Sequence, residues 1–205
     1  MNTIWNELPT TEVVAATAAQ LQEHGMTVEV LATKAAALAR LKDLIPSGAE
    51  VMTGSSTTLN QIGFTEYLES GKHDWKNLHS LIVAENDDAT RNTLRRKAVT
   101  AEYFIASANA LTEDGKIVSV DATGSRVVAL PYAAEKVILV VSTQKITKDL
   151  EVAMQRIRDH VFPLEDKRMQ DAYGMGSNLS KWVILEKEFV PGRITILLVE
   201  EALGF

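Results

Sequence analysis

Short apolar, β-branched runs alternate with segments of helical period along most of the chain, and this alternation narrows the available folds more than any other feature. Val14, Ala18, Leu21 and Gly25 keep helical spacing behind Pro9 and Thr10, as do Leu38, Leu41 and Ile45 behind Thr33, with a short strand over 28–31 between them. Strands are then expected at 50–53, 80–84 and 103–106, separated by helices over 57–68 and 88–100. A repeated strand–helix–strand order needs crossover connections, so the strands should run parallel with helices on the sheet faces.

Later segments refine this picture. Asp114-Gly115 lies between extended stretches at 106–111 and 116–120, a hairpin signal that predicts a mixed sheet at that point. Residues 136–141 are almost entirely apolar, as in a strand covered on both faces. A helix is expected over 147–161, with Asp149 and Glu151 at its start and Arg156, Arg158 and His160 at its end, where they complement the helix dipole. After Pro163 an irregular polar stretch is expected up to Ser180, followed by strands over 182–186 and 193–199. The expected fold is α/β: an open, mostly parallel sheet with flanking helices and an antiparallel hairpin excursion. At 205 residues the chain suits one core better than two, so 1–205 is read as a single domain.

Charge and composition exclude several functions. With 21 Lys+Arg against 27 Asp+Glu, the net charge of -6 disfavours a nucleic-acid backbone binder. The first residues carry no signal-peptide pattern and no segment is apolar enough to span a bilayer, which predicts a cytoplasmic protein without membrane insertion. Cysteine is absent, so the chain has no thiolate nucleophile and no ordinary cysteine-held iron–sulfur cluster; no cofactor is expected in it. His24, His73, His79 and His160 show no metal-ligand spacing. Arg91, Arg95, Arg96 and Lys97 crowd one helix and read as a solvated face.

Polar residues gather where predicted strands end. Gly54, Ser55, Ser56, Thr57 and Thr58 sit between a strand and a helix, where backbone N–H groups hold an anion or where a hydroxyl merely caps the helix. Ser107 and Asn109 leave the next strand, with Asp114 further along, and here too the alternative is local turn chemistry. Asp121, Gly124, Ser125 and Arg126 pair a carboxylate with a guanidinium, as an anion clamp or as an internal ion pair. Lys145 follows the most apolar strand, as an anion partner or acid/base group, or as a solvated loop lysine. In a catalytic site, Asp114 or Asp121 is the candidate base, Arg126 and Lys145 the anion clamp with Lys145 also an acid/base candidate, and N–H groups near Ser55 and Ser56 the charge-stabilising donors.

The run from Tyr103 to Gly115, followed by Asp121-Ala122-Thr123-Gly124-Ser125-Arg126-Val127, resembles the central signature of the LUD (lactate utilisation) domain family. Lys136-Val137-Ile138-Leu139-Val140-Val141 with Lys145-Ile146 and Asp149-Leu150, the earlier Gly54 to Gly63, and the ending from Ile194 to Gly204 fit the same pattern. The resemblance implies the fold grouped with ribose-5-phosphate isomerase, glucosamine-6-phosphate deaminase and CoA transferases, and a link to lactate oxidation through a complex with iron–sulfur partners. Many similar proteins carry a cysteine-rich segment where this chain reads Arg168 to Asn178, so any metal or redox role of that segment does not transfer.

Two functions follow as expectations. One is binding of a small carboxylate- or phosphate-bearing metabolite at the strand-end loops. The other is a noncatalytic accessory subunit docked on an iron–sulfur or dehydrogenase partner, for which a broad apolar face without a pocket would speak. A homo-oligomer fits either.

Overall fold

The computed structural model describes residues 3–205. Thr10 caps α1 (Thr11–Glu23) and Thr33 caps α2 (Lys34–Leu44), each hydroxyl accepting the N–H three residues on, with β1 (Thr27–Leu31) between them. After β2 (Glu50–Thr53), Ser56 caps α3 (Thr57–Gln61). The single helix expected over 57–68 divides at Gly63, whose φ of 81° starts α4 (Phe64–Glu69).

Then come β3 (Lys76–Asn77), α5 (Leu78–Ala84), α6 (Asp88–Ala98) and β4 (Tyr103–Ala106). The strand expected over 80–84 is therefore a helix. Asn77 Oδ1 accepts the Ser80 N–H at 3.2 Å and caps it. Leu78 and Ile82, one turn apart, face the core while Leu81 and Val83 are exposed, so the apolar run serves one helix face.

The second half holds β5 (Ala110–Thr112), β6 (Ile117–Asp121), α7 (Ser125–Val128), β7 (Lys136–Ser142), β8 (Ile146–Thr147), α8 (Leu150–Arg156), α9 (Phe162–Tyr173), β9 (Lys181–Leu185) and β10 (Ile194–Val199). The helix does not end near Val161 as expected. A π turn over Ile157–Val161, in which the Phe162 N–H reaches Ile157 O, joins α8 to α9 and lets the chain pass Pro163 without breaking.

Six strands form one sheet in the order β1-β10-β7-β4-β2-β3, and each of its pairings is parallel. The hairpin of β5 and β6 does not mix this sheet. It leaves it and founds a second one, β8-β5-β6-β9, where β5 pairs β6 and β6 pairs β9 antiparallel while β5 pairs β8 parallel.

Successive residues of the central strands feed opposite cores. Phe104, Leu139 and Leu198 pack on one face with Leu21 and Met26, while Ile105, Val140 and Leu197 pack on the other with Leu41 and Leu59. Each such side chain contributes about 1.5–3 kcal/mol by leaving water. A third cluster packs Val118 and Val120 of the second sheet on Ala153 and Ile157. Because Thr53 pairs Ile105 and Ala106 pairs Leu139, the loops after β2, β4 and β7 emerge side by side at the carboxyl edge of the sheet. Among the described residues, no helix is long and apolar enough to cross a membrane.

Candidate functional site

At that edge lies a cleft of about 290 Å³. Gly54, Ser55, Ser56, Thr57 and Thr58 form one wall and Ser107, Ala108 and Asn109 the floor. Asp121 comes from the end of β6 in the second sheet, Thr123, Ser125 and Arg126 from the turn and the start of α7 that follow it, and Phe162, Glu165, Arg168 and Met169 from the helical arm. Ser56 is committed to capping α3 through the Leu59 N–H at 3.3 Å, whereas the first N–H groups of so short a helix have no intrahelical acceptor.

Lys145 is only 4% exposed and reaches the cleft from beneath. Its Nζ donates to Thr58 Oγ1 at 3.0 Å, Ser107 Oγ at 3.2 Å and Ala108 O at 3.3 Å. Burial, then the charges of Arg156 and Arg126, hold its pKa well below the usual lysine value. Gly204 covers it with a φ of 69°; a Cβ there would clash with Thr58 Oγ1 and lie 3.0 Å from Nζ, so a glycine is needed for this approach.

Arg126 and Asp121 do not form the side-chain ion pair, one of the two arrangements expected of them. The Asp121 carboxylate accepts backbone N–H groups, from Arg126 at 2.8 Å and from Thr123 at 2.9 Å. The Arg126 guanidinium turns instead to Val120 O at 2.5 Å and Asn109 Oδ1 at 3.3 Å, and its Nε is shielded from solvent without a partner. Burial raises the Asp121 carboxyl, but the N–H and charge of Arg126 outweigh it and leave the group below the ordinary range. Burial lowers the Arg126 pKa, against the attraction of Asp121 and Glu165. Arginine starts so high that it stays a cation.

Behind the cleft Arg156 is fully buried. It donates to Asn109 O at 2.9 Å, Phe205 O at 3.3 Å and Trp5 O at 3.4 Å, and burial pushes its pKa down to about 10. His160, one turn on, is lowered by burial and then by Arg156, and its Nε2 is unpartnered. Lys145, Arg126 and Arg156 therefore all hang on one loop: Ser107 Oγ and Ala108 O hold the first, Asn109 Oδ1 the second, Asn109 O the third. Among the described residues none of the three has an Asp or Glu side chain within salt-bridge distance. Arg168 differs: Glu165 binds it at 2.7 Å and neutralises it. Three buried cations, none held directly by an Asp or Glu side chain, leave a positive field that an anion completes.

Of the residues picked from sequence, Gly54, Ser55, Ser56, Thr57, Thr58, Ser107, Asn109, Asp121, Ser125, Arg126 and Lys145 all line the cleft. Gly124 stands just outside it, where its φ of 103° starts α7. Asp114 does not belong: it lies at the hairpin tip, bound to Lys116 and Thr112, and as a carboxylate stabilised by those partners it is no candidate base. Arg156, Glu165 and Arg168 were missed. Arg156 shares the buried stripe of Ala153 and Ile157, so a cation on an apolar face was the available signal. Among the described residues no cluster of His, Asp or Glu could hold a metal ion.

The DUF162 family protein of Deinococcus radiodurans, solved by crystallography, has a similar structure: TM-score 0.57 at 12% identity, covering 94% of this chain and 99% of that one. At that identity the likeness concerns the fold. A search of curated proteins returned no match. The LUD domain family model matches residues 14–199, nearly the whole chain and every strand-end loop of the cleft, and the chain belongs to the LUD domain family.

Proposed function

We propose that this protein binds a small carboxylate- or phosphate-bearing metabolite in the cleft and serves lactate utilisation in that way. The observation that carries this reading is the convergence of Lys145, Arg126 and Arg156 on the loop 107–109 with no Asp or Glu side chain in salt-bridge contact with any of them, in a chain whose net charge is -6. Burying unpaired charge costs several kcal/mol per ion, and an anionic ligand offsets that cost. The hydroxyls of Ser55, Ser125 and Thr123 at the rim add donors for its oxygens. Any iron–sulfur chemistry of the pathway belongs to a partner subunit. A formed, charged cleft favours ligand binding over a purely docking role.

Thermal-shift screening against lactate, pyruvate, phosphosugars, CoA esters and inorganic phosphate tests the reading. A true ligand at about 100 times its Kd stabilises the fold by about 2.7 kcal/mol. Stabilisation by an anion that disappears in Arg126→Ala is the expected result; indifference to every anion refutes it.

A further inference from the structure

We propose that Lys145 is a nucleophile that condenses with the carbonyl carbon of a 2-oxo carboxylate held in the cleft, forming a covalent imine. This rests on the anion-binding reading and narrows it to a substrate class.

The geometry sets Lys145 apart from an ordinary anion-holding lysine. It is 4% exposed, yet lines the cleft, and its Nζ touches two hydroxyls and a carbonyl but no acid. A lysine kept from carboxylates and crowded by cations sheds its proton readily, which frees the lone pair that attack requires. Its pKa does lie well below the ordinary value, for the same reasons of burial and of Arg156 and Arg126 nearby. Arg126 and Arg156 hang on the same loop and supply the positive field for the substrate carboxylate. A compound with a carbonyl next to a carboxylate meets both requirements at once.

The chemistry needs no other reactant. Neutral Nζ attacks the carbonyl carbon, a C–N bond forms, and one proton passes from nitrogen to the former carbonyl oxygen to give a carbinolamine. That hydroxyl takes a second proton from solvent and leaves as water, and the iminium remains; nothing is oxidised or reduced. Thr58 and Ser107, both in hydrogen-bond contact with Nζ, stand where these protons must pass.

The test is reductive trapping. Intact protein is incubated with pyruvate or 2-oxoglutarate and sodium cyanoborohydride, and the adduct is located by peptide mass spectrometry. Labelling of Lys145 that approaches one adduct per chain, and falls at least about tenfold at that peptide in Lys145→Arg, is expected. Its rate should rise with pH through a midpoint well below that of a surface lysine. Burial, Arg156 and Arg126 set this midpoint, and Arg168, Asp121 and Glu165 are the other charged groups of the cleft that Nζ faces. A 2-oxo acid that binds by calorimetry without labelling Lys145, or labelling spread over surface lysines, overturns the imine and leaves anion binding standing. Phosphate binding with no oxo acid bound overturns both the imine and the substrate class and leaves anion binding standing. No binding by any anion overturns both.

Discussion

Two buried arginines offer an internal comparison. Arg156 is fully buried and has no Asp or Glu partner; Arg193, 8% exposed, is bound by Glu188 at 2.6 Å and by Leu130 O at 2.7 Å. With its pKa pushed down to about 10, Arg156 at neutral pH carries a cost of about 3 kcal/mol, since each unit corresponds to about 1.4 kcal/mol. Arg156→Met removes that cost but forfeits one good hydrogen bond, to Asn109 O, and two long ones. A bond from a charged donor contributes about 1.5–3 kcal/mol, so the net change should fall within about 2 kcal/mol of zero. Arg193→Met instead strands the Glu188 carboxylate and should cost about 3–5 kcal/mol. Urea melts of both variants, with and without an anion found by screening, measure the contrast. Arg156→Met should keep its stability and lose ligand stabilisation. If it unfolds as readily as Arg193→Met, the reasoning that Arg156 is held ready for a ligand is wrong.

Arg126→Ala should cost about 1–2 kcal/mol of stability, because Asp121 keeps its backbone donors, while calorimetry shows weakened anion binding. The folded-state pKa of Asp121 is depressed, so its contribution is present above the unfolded value near 4 and is lost as pH falls through the lower folded value; Asp121→Asn should flatten this acid limb of stability against pH. Gly204→Ala forces a left-handed φ on alanine, about 1–2 kcal/mol, and pushes Thr58 off Lys145, so denaturant melts should show that loss together with weaker ligand binding.

The loops at 54–58, 107–109 and 145 were legible because each follows an apolar run, and a parallel sheet sends all its strand ends to one edge. Residues 121–126 reach the same cleft from a second sheet, and only their polar character announced them. Asp114 looked equally functional, since a polar side chain in a turn reads alike whether its partners are local or a ligand. Leu81-Ile82-Val83 misled in the opposite direction: a short apolar run fits a strand or one face of a helix, and the Asn77 cap decides. The π turn before Pro163 leaves no mark in residue type, so the arm bringing Glu165 and Arg168 to the cleft stayed hidden.

The position of β10 bears on how the molecule is made. This strand, residues 194–199, fits between β1 near the start of the chain and β7, in register with both. Until it emerges from the ribosome, β1 and the helices around it have no sheet to join, and the N–H and C=O groups along one edge of β7 lie unpaired. The last strand of this sheet to be synthesised is thus a keystone rather than an appendage, and the nascent chain must wait for it with one backbone edge of β7, residues 137–142, unpaired. Ribosome-held chains stopped short of residue 194 should be readily digested by protease, and those extended past 205 by a linker long enough to clear the exit tunnel should resist.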